Sequence, residues 1–261
     1  MSKKDYLALS VLLSAGFVTI FDLFVVNIAI AIAIANIQTN LHANLLQITF
    51  IIVTYEMGFG LLLITGGRLG DLFGRRKLFQ FGIFAFTLTS LFCGLAVTDN
   101  ILILARFLQG LSAALLFPQV YACIRVNFDG ENNRRAFGFL GMTLGLAAIA
   151  GQTLGGWMLA ANLWELQWRS IFLVNIPIGI LALILSGYIN ESVAQEKPGL
   201  DFVGVALSSI GIFSLMLPLL IGPTLGWPVW CWGLFLFAFL MLLQFVRHEK
   251  AYAKCGMILS F

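Results

Sequence analysis

Eight runs of twenty or so apolar residues, each long enough to cross the hydrocarbon core of a bilayer, dominate this chain. They extend from Tyr6 to Ala35, Leu45 to Gly66, Leu78 to Val97, Ile101 to Ile124, Ala136 to Ala160, Ile171 to Ile189, Phe202 to Ile221 and Val229 to Val246. Backbone inside lipid has no water to bond, so a run of this length must close its own hydrogen bonds as a helix. Only 10% of residues are charged and the mean hydropathy is +0.97; soluble domains carry roughly 25% charge. The connections are too short for a soluble domain, and the predicted fold class is an all-α membrane protein with about eight spans.

Cations orient the spans. Lys3 and Lys4 precede the first, Arg68 to Lys77 follow the second, Arg125, Arg134 and Arg135 separate the fourth from the fifth, and Lys197 separates the sixth from the seventh. Arg247, Lys250 and Lys254 follow the eighth, whereas the opposite loops hold only Arg169. By the positive-inside rule both ends are cytoplasmic. The net charge of +3 is therefore an insertion signal segregated into one set of loops, and no nucleic-acid partner is expected. Nor is a metal site expected: His42 and His248 fall on opposite sides, and Cys93, Cys123, Cys231 and Cys255 lack ligand spacing. No serine has a nearby base, so the chain does not read as an enzyme. The first run is too long for a cleaved signal peptide.

Three ionisable residues lie well inside apolar runs: Asp22, Glu56 and Arg106. Each costs roughly 2.5 to 3.5 kcal/mol to insert, so each is a functional candidate facing a bundle interior or a water-filled cavity. Asp22 stands roughly 24 Å along the first helix, and Arg106 lies near the opposite entry to the fourth. The two can share a depth. A neighbouring guanidinium favours an ionised carboxylate, and desolvation alone favours a protonated one; the pair reads either as a proton switch or as a static ion pair. Glu56 has no obvious partner. It reads as a proton carrier, a contact for a cationic substrate, or a neutral acid bonded to a neighbouring helix. Arg106, Gln109, Gly110 and Ala113 share one face of the fourth span, and Gly141, Gly145, Ala148, Gln152 and Gly155, with Gly151 and Gly156 beside them, form a small-residue stripe on the fifth.

The second connection, Gly67-Arg68-Leu69-Gly70-Asp71-Leu72-Phe73-Gly74-Arg75-Arg76-Lys77, reads as a basic, glycine-rich loop with one acid that orientation does not require. It resembles the signature loop between helices two and three of the major facilitator superfamily of secondary transporters, roughly G-x-L-x-D-x-x-G-R-R. Gly67, Leu69, Asp71, Gly74, Arg75 and Arg76 match. Arg106-Phe107-Leu108-Gln109-Gly110 is similar to the family's fourth-helix pattern. Gly151-Gln152-Thr153-Leu154-Gly155-Gly156 is similar to its antiporter motif, with Gln152 where a proline and its kink are expected. Phe21 to Ala29 resembles the first helix of the fourteen-helix drug:proton antiporter branch, with Phe24 in place of threonine and Ala31 in place of proline. Trp168 to Gly179 is similar to that branch's entry to helix six, where Arg169 anchors an outer boundary and Pro177 loosens the helix. The two extra spans after residue 200 fit the same branch.

The resemblance implies a six-helix N-terminal bundle over residues 1–190, a cytoplasmic linker over 191–201, two additional transmembrane helices over 202–247, and a tail or the start of a C-terminal half over 248–261. It implies a proton-coupled carrier exporting drugs or other amphipathic or cationic compounds, powered by the proton gradient with no cofactor. Its partners would be the bilayer, protons, a small-molecule substrate, and a missing C-terminal half or partner half-transporter; its place would be a bacterial inner membrane. Proton coupling falls on Asp22, Arg106 and Glu56, and conformational switching on Gly67, Arg68, Gly70, Asp71, Gly74, Arg75 and Arg76. Antiporter-type packing falls on Gly145, Gly151, Gln152, Gly155 and Gly156, and the substrate cavity on Asn27 and Gln109. An uptake symporter or metabolite exporter of the same fold, or a non-transporting fragment, remain the alternatives.

Overall fold

Chains without water to bond coil on themselves, and the computed structural model follows that rule. It describes residues 2–41, 43–162, 165–193 and 201–258, apart from the side chains of 27–40, 202 and 251–258. The helices are α1 (Lys3–Leu41), α2 (Leu45–Phe73), α3 (Arg75–Gly94), α4 (Asp99–Asn127), α5 (Gly130–Ala161), α6 (Ser170–Leu173), α7 (Asn175–Leu185), α8 (Phe202–Leu225) and α9 (Val229–Ile258). Eight stretches among the described residues are long and apolar enough to cross a membrane. Polar caps start several of them: Asn44 forms a reciprocal capping box with Gln47, and Thr98 accepts from the Ile101 N–H.

Several boundaries differ from the sequence reading: α5 starts at Gly130 rather than Ala136, α8 ends at Leu225 rather than Ile221, and α9 continues past Val246 to Ile258. α1 continues past Ala35 to Leu41. The sixth span is interrupted at Val174, where α6 ends and α7 begins. Pro177 has no N–H to give the Leu173 carbonyl four residues back, which loosens the helix at that point. The glycine-rich connection is mostly helix: α2 runs through Phe73, and Gly74 alone breaks it, at φ 105°. Only glycine adopts that conformation at little cost.

The chain divides into two units, Met1–Lys197 and Pro198–Phe261. In the first, α2 packs on α4, α1 on α5, and α3 on α4 and α7. Glycines set these spacings. A Cβ on Gly58 would meet the Phe107 carbonyl oxygen at 2.5 Å, one on Gly66 would strike the Ala114 carbonyl, and one on Gly110 the Tyr55 carbonyl. The α2–α4 contact is thus nearly backbone on backbone.

On α5, Gly151 and Gly155 lie against α1, where added Cβ atoms would meet the Phe21 carbonyl oxygen at 2.9 Å and the Val25 Cγ2 at 2.8 Å. Gly145 and Gly141 face open space, Gln152 is exposed and Gly156 half-buried, so the expected single stripe is not the packing face. The α1-facing edge is Leu140, Leu144, Ala147, Gly151 and Gly155. For its first four positions the expected stripe is one residue out of register, a rotation of about 100°, and only Gly155 coincides. α5 runs unbroken through Gln152.

In the second unit α8 packs on α9, with Gly211 close to Leu242. Asp201 caps α8 by accepting from the Gly204 N–H at 2.9 Å, and also contacts the His248 Nε2 at 2.8 and 2.9 Å. One carboxylate thereby ties the start of α8 to α9.

Gly110→Ala is expected to destabilise the protein by about 1 to 3 kcal/mol through overpacking. Gly141→Ala, with no heavy atom within 4 Å of its added Cβ, should stay within about 0.5 kcal/mol. Thermal unfolding of the two purified variants side by side checks this.

Candidate functional site

Asp22 of α1 and Arg106 of α4 meet at the centre of the first unit, with Arg106 Nη1 donating to Asp22 Oδ2 at 2.6 Å. Their side chains are 0% and 1% exposed. Moving two charges out of water costs several kcal/mol each unless geometry and further hydrogen bonds compensate. Here they do. Asp22 Oδ1 accepts from Gln109 Nε2 at 3.0 Å and from Asn175 Nδ2 at 2.8 Å. Arg106 also donates to Gln109 Oε1 at 2.7 Å and to the Ile51 carbonyl at 3.3 Å. Its guanidinium lies 4.3 Å from the centre of the Tyr55 ring and 5.5 Å from that of Phe172, within cation–π range. Gln109 Nε2 further donates to Ser90 Oγ at 2.7 Å, and the Tyr55 hydroxyl donates to the Thr19 carbonyl at 3.2 Å. Side chains from α1, α2, α3, α4, α6 and α7 thus converge on one ion pair.

The sequence reading brought Asp22 and Arg106 together correctly. It set Gln109 on a substrate cavity; Gln109 is instead fully buried inside the ion-pair network. Glu56, expected to be buried without a partner, is half-buried on α2 and does not lack an interaction. The side chain of Asn27 lies outside the described residues. Ser90, Asn175 and Tyr55 carry no role in the sequence reading, which rests on the ionisable residues inside spans and on family motifs. Neutral polar side chains in the same apolar runs, above all the amide of Asn175, were the signal that could have found them.

The switch residues gather at a second place. Asp71 Oδ1 accepts from Arg75 Nη2 at 2.7 Å and Nε at 3.0 Å, one helical turn apart across Gly74. The other side of this corner holds the end of the sixth span: Arg75 N–H donates to the Ser192 carbonyl at 3.0 Å, Arg76 N–H to Glu191 Oε1 at 3.1 Å, and Arg76 Nη1 to the Ile189 carbonyl at 3.3 Å. Glu191 is an acid the sequence reading assigned no role. Gly70 abuts the Gln119 side chain, a Cβ added to Gly67 would lie 4.0 Å from the Pro118 Cβ, and Arg68 is half-buried. Asp71 and Arg75 line a cavity of about 400 Å³ with Tyr121, Arg125 and Phe137. An apolar cavity of about 390 Å³ lies between α5 and the sixth span, walled by Trp157, Met158 and Leu173.

A sequence model of the Major Facilitator Superfamily matches residues 12–259. The chain belongs to that superfamily. Among curated relatives, it is 37% identical over 254 residues to the probable actinorhodin transporter of Streptomyces coelicolor, an alignment covering 97% of this chain and 43% of that protein. It is 34% identical to the tetracenomycin C resistance and export protein of Streptomyces glaucescens, over 75% of this chain and 36% of that one. It is 30% identical to the methylenomycin A resistance protein of Bacillus subtilis, over 83% and 45%. The chain thus spans less than half the length of these relatives. In fold it is similar to a bacterial homolog of the human lysosomal transporter Spinster, inward-facing and unoccupied, with TM-score 0.61 and 17% identity over 85% of this chain and 56% of that one. A peptide transporter of the POT type matches at TM-score 0.60 and 16% identity, over 86% and 48%. These superfamily members and their relatives are transporters, not enzymes, and the chain is a multi-pass membrane protein of the same fold.

Leaving either charge buried alone is expected to be costly. Asp22→Leu and Arg106→Leu should each destabilise by about 3 to 5 kcal/mol, and the double variant by less than either single one. A thermal-stability cycle on the four proteins tests it; additive losses would mean the two charges do not compensate each other.

Proposed function

We propose that this chain is the N-terminal part of a proton-coupled exporter of amphipathic or cationic compounds in a bacterial inner membrane, with Asp22 as the proton-accepting group. The observation that carries this reading is the fully buried Asp22–Arg106 pair, which links α1 to α4. A guanidinium stays charged at any physiological pH, so a proton reaching the pair goes to Asp22. Protonation cancels the carboxylate and leaves Arg106 held by Gln109, the Ile51 carbonyl and the Tyr55 ring. The affinity of α1 for α4 then depends on the proton, which is the elementary requirement of a carrier whose two states differ in helix arrangement. The curated relatives named for actinorhodin, tetracenomycin C and methylenomycin A support an antibiotic-like substrate class.

The remaining parts of the reading are proposed with it. A partner half of about six helices completes the carrier, and the two halves alternate around a site near the midplane. The Asp71–Arg75 corner serves as the switch on the cytoplasmic side, where both termini lie. Glu56, half-buried on α2, is proposed as the carboxylate that meets a cationic substrate or a second proton.

Proteoliposomes holding the full-length carrier, loaded with a panel of cationic dyes under pH gradients of either sign, provide the test. Asp22→Asn and Arg106→Gln should reduce gradient-driven export to background with normal membrane insertion. Undiminished export in both variants would overturn the proposal. Substrate accumulation in the direction of proton entry would assign the same fold to an uptake symporter.

A further inference from the structure

One atom of the ion-pair network is left over. The Asn175 side chain is 0% exposed, yet its Oδ1 has no hydrogen-bond partner among the described residues. A buried, unpaired carbonyl costs about 1 to 3 kcal/mol. The orientation is dictated by its neighbour: an ionised Asp22 can only accept, so the amide must turn Nδ2 toward it and Oδ1 away. The orphan is therefore a consequence of the charge on Asp22.

Protonation reverses the demand. Asp22 Oδ2 faces the Arg106 guanidinium at 2.6 Å, so an arriving proton settles on Oδ1, the oxygen shared by Gln109 and Asn175. A protonated Oδ1 must donate. The Gln109 Oε1 is already engaged by Arg106 Nη1 at 2.7 Å, and Gln109 Nε2 is fixed toward Ser90 Oγ at 2.7 Å. Asn175 Oδ1 is the free acceptor.

We infer that Asn175 reads the protonation state of Asp22, its side-chain amide turning over so that Nδ2 donates to the carboxylate and Oδ1 accepts from the carboxylic acid. The inference rests on Asp22 being the proton site. In each orientation the amide end that faces Asp22 is the one its charge demands, and the proton decides between them. One proton enters, the Asn175–Asp22 hydrogen bond reverses direction, the longer Nδ2 bond to Ser90 Oγ at 3.5 Å is given up, and the amide rotates. The ionisable groups facing Asp22 are Arg106 from α4, Tyr55 (with Glu56 next to it) from α2, and Cys93 from α3. The faces that α5 and the α6–α7 span turn toward it (Ala147, Gly151 and Gly155; Phe172 and Asn175) carry none. Asn175 is thus a positioning residue at the first position of α7, immediately after Val174.

Infrared difference spectroscopy on the full-length carrier with isotopically labelled asparagine, between alkaline and acidic pH, tests this directly. A protonated-carboxyl band that vanishes in Asp22→Asn should rise on acidification, and one labelled asparagine amide band, absent in Asn175→Leu, should shift with the same midpoint. A carboxyl band without the amide shift would overturn the inference and leave the proton site intact. Absence of any Asp22 carboxyl band would overturn both. In transport, Asn175→Leu should lose about tenfold or more of proton-driven flux, the equivalent of one hydrogen bond to a charged group. Asn175→Ser, whose hydroxyl can donate or accept, should retain more; equal loss in both would count against a reversible bond. The labelled wild-type measurement stands even if Asn175→Leu fails to fold.

Discussion

The bundle is organised around a charge that cannot be left alone. A carboxylate and a guanidinium with almost no exposure are tolerable only together, and only with their remaining lone pairs and N–H groups satisfied. No single helix can supply that. α1 brings the acid, α4 the base and the bridging Gln109, α3 the Ser90 hydroxyl, α2 the Tyr55 ring and the Ile51 carbonyl, and α7 the Asn175 amide. The network therefore specifies which helices must be neighbours and at what depth, something a lipid-like interior alone cannot do, since apolar side chains gain little by leaving lipid for one another.

Short reach makes the glycines part of the same requirement. The Asp22–Arg106 contact is 2.6 Å, and Arg106 spans from α4 to both α1 and α2. Gly58 and Gly66 on α2 and Gly110 on α4 let those two backbones touch beside it, while Gly151 and Gly155 do the same for α5 against α1. Gly110 follows Gln109 directly, so the residue that closes the helix gap stands next to the residue that bridges the ion pair. Adding a side chain there would widen the gap that the guanidinium has to bridge.

Much of this was legible before any coordinates. Span count followed from hydropathy because lipid permits so few alternatives, and the Asp22–Arg106 pair followed from the rarity of charge inside a span. The α5 register failed for a different reason. Glycines at positions 141, 145, 151 and 155 fit two faces about 100° apart, and only the partner, Phe21 and Val25 of α1, selects one. The connection after α2 read as a loop because its glycines have low helix preference and its cations high solubility, whereas residues 67–73 continue α2 and Gly74 is the break. Asn175 and Ser90 were invisible for the opposite reason: a neutral amide or hydroxyl in an apolar run is cheap enough to insert that it draws no notice until its neighbours are seen.

The two sites are not independent in space. The sixth span bonds Asp22 through Asn175 near one end, and just past its other end the Ile189 carbonyl, Glu191 and Ser192 bond Arg76 and Arg75 at the corner between α2 and α3. Between Asn175 and Ile189 the chain is α7 followed by a short 3₁₀ turn, about 21 Å of nearly continuous helix. It is further held to α3 by Gln80 Nε2 donating to Ser186 Oγ at 2.8 Å and by Gly179 against Thr87. A stiff element bonded at both ends must either hold still or move both contacts together. Any displacement of α7 that follows a change at Asp22 therefore arrives at Gly74, the one residue of that corner whose backbone is free to turn. Val174, between α6 and α7, lies on the near side of Asn175 and so outside this path. Phe172, whose ring lies 5.5 Å from the Arg106 guanidinium, stands on α6, before the segment that joins the ion pair to the switch.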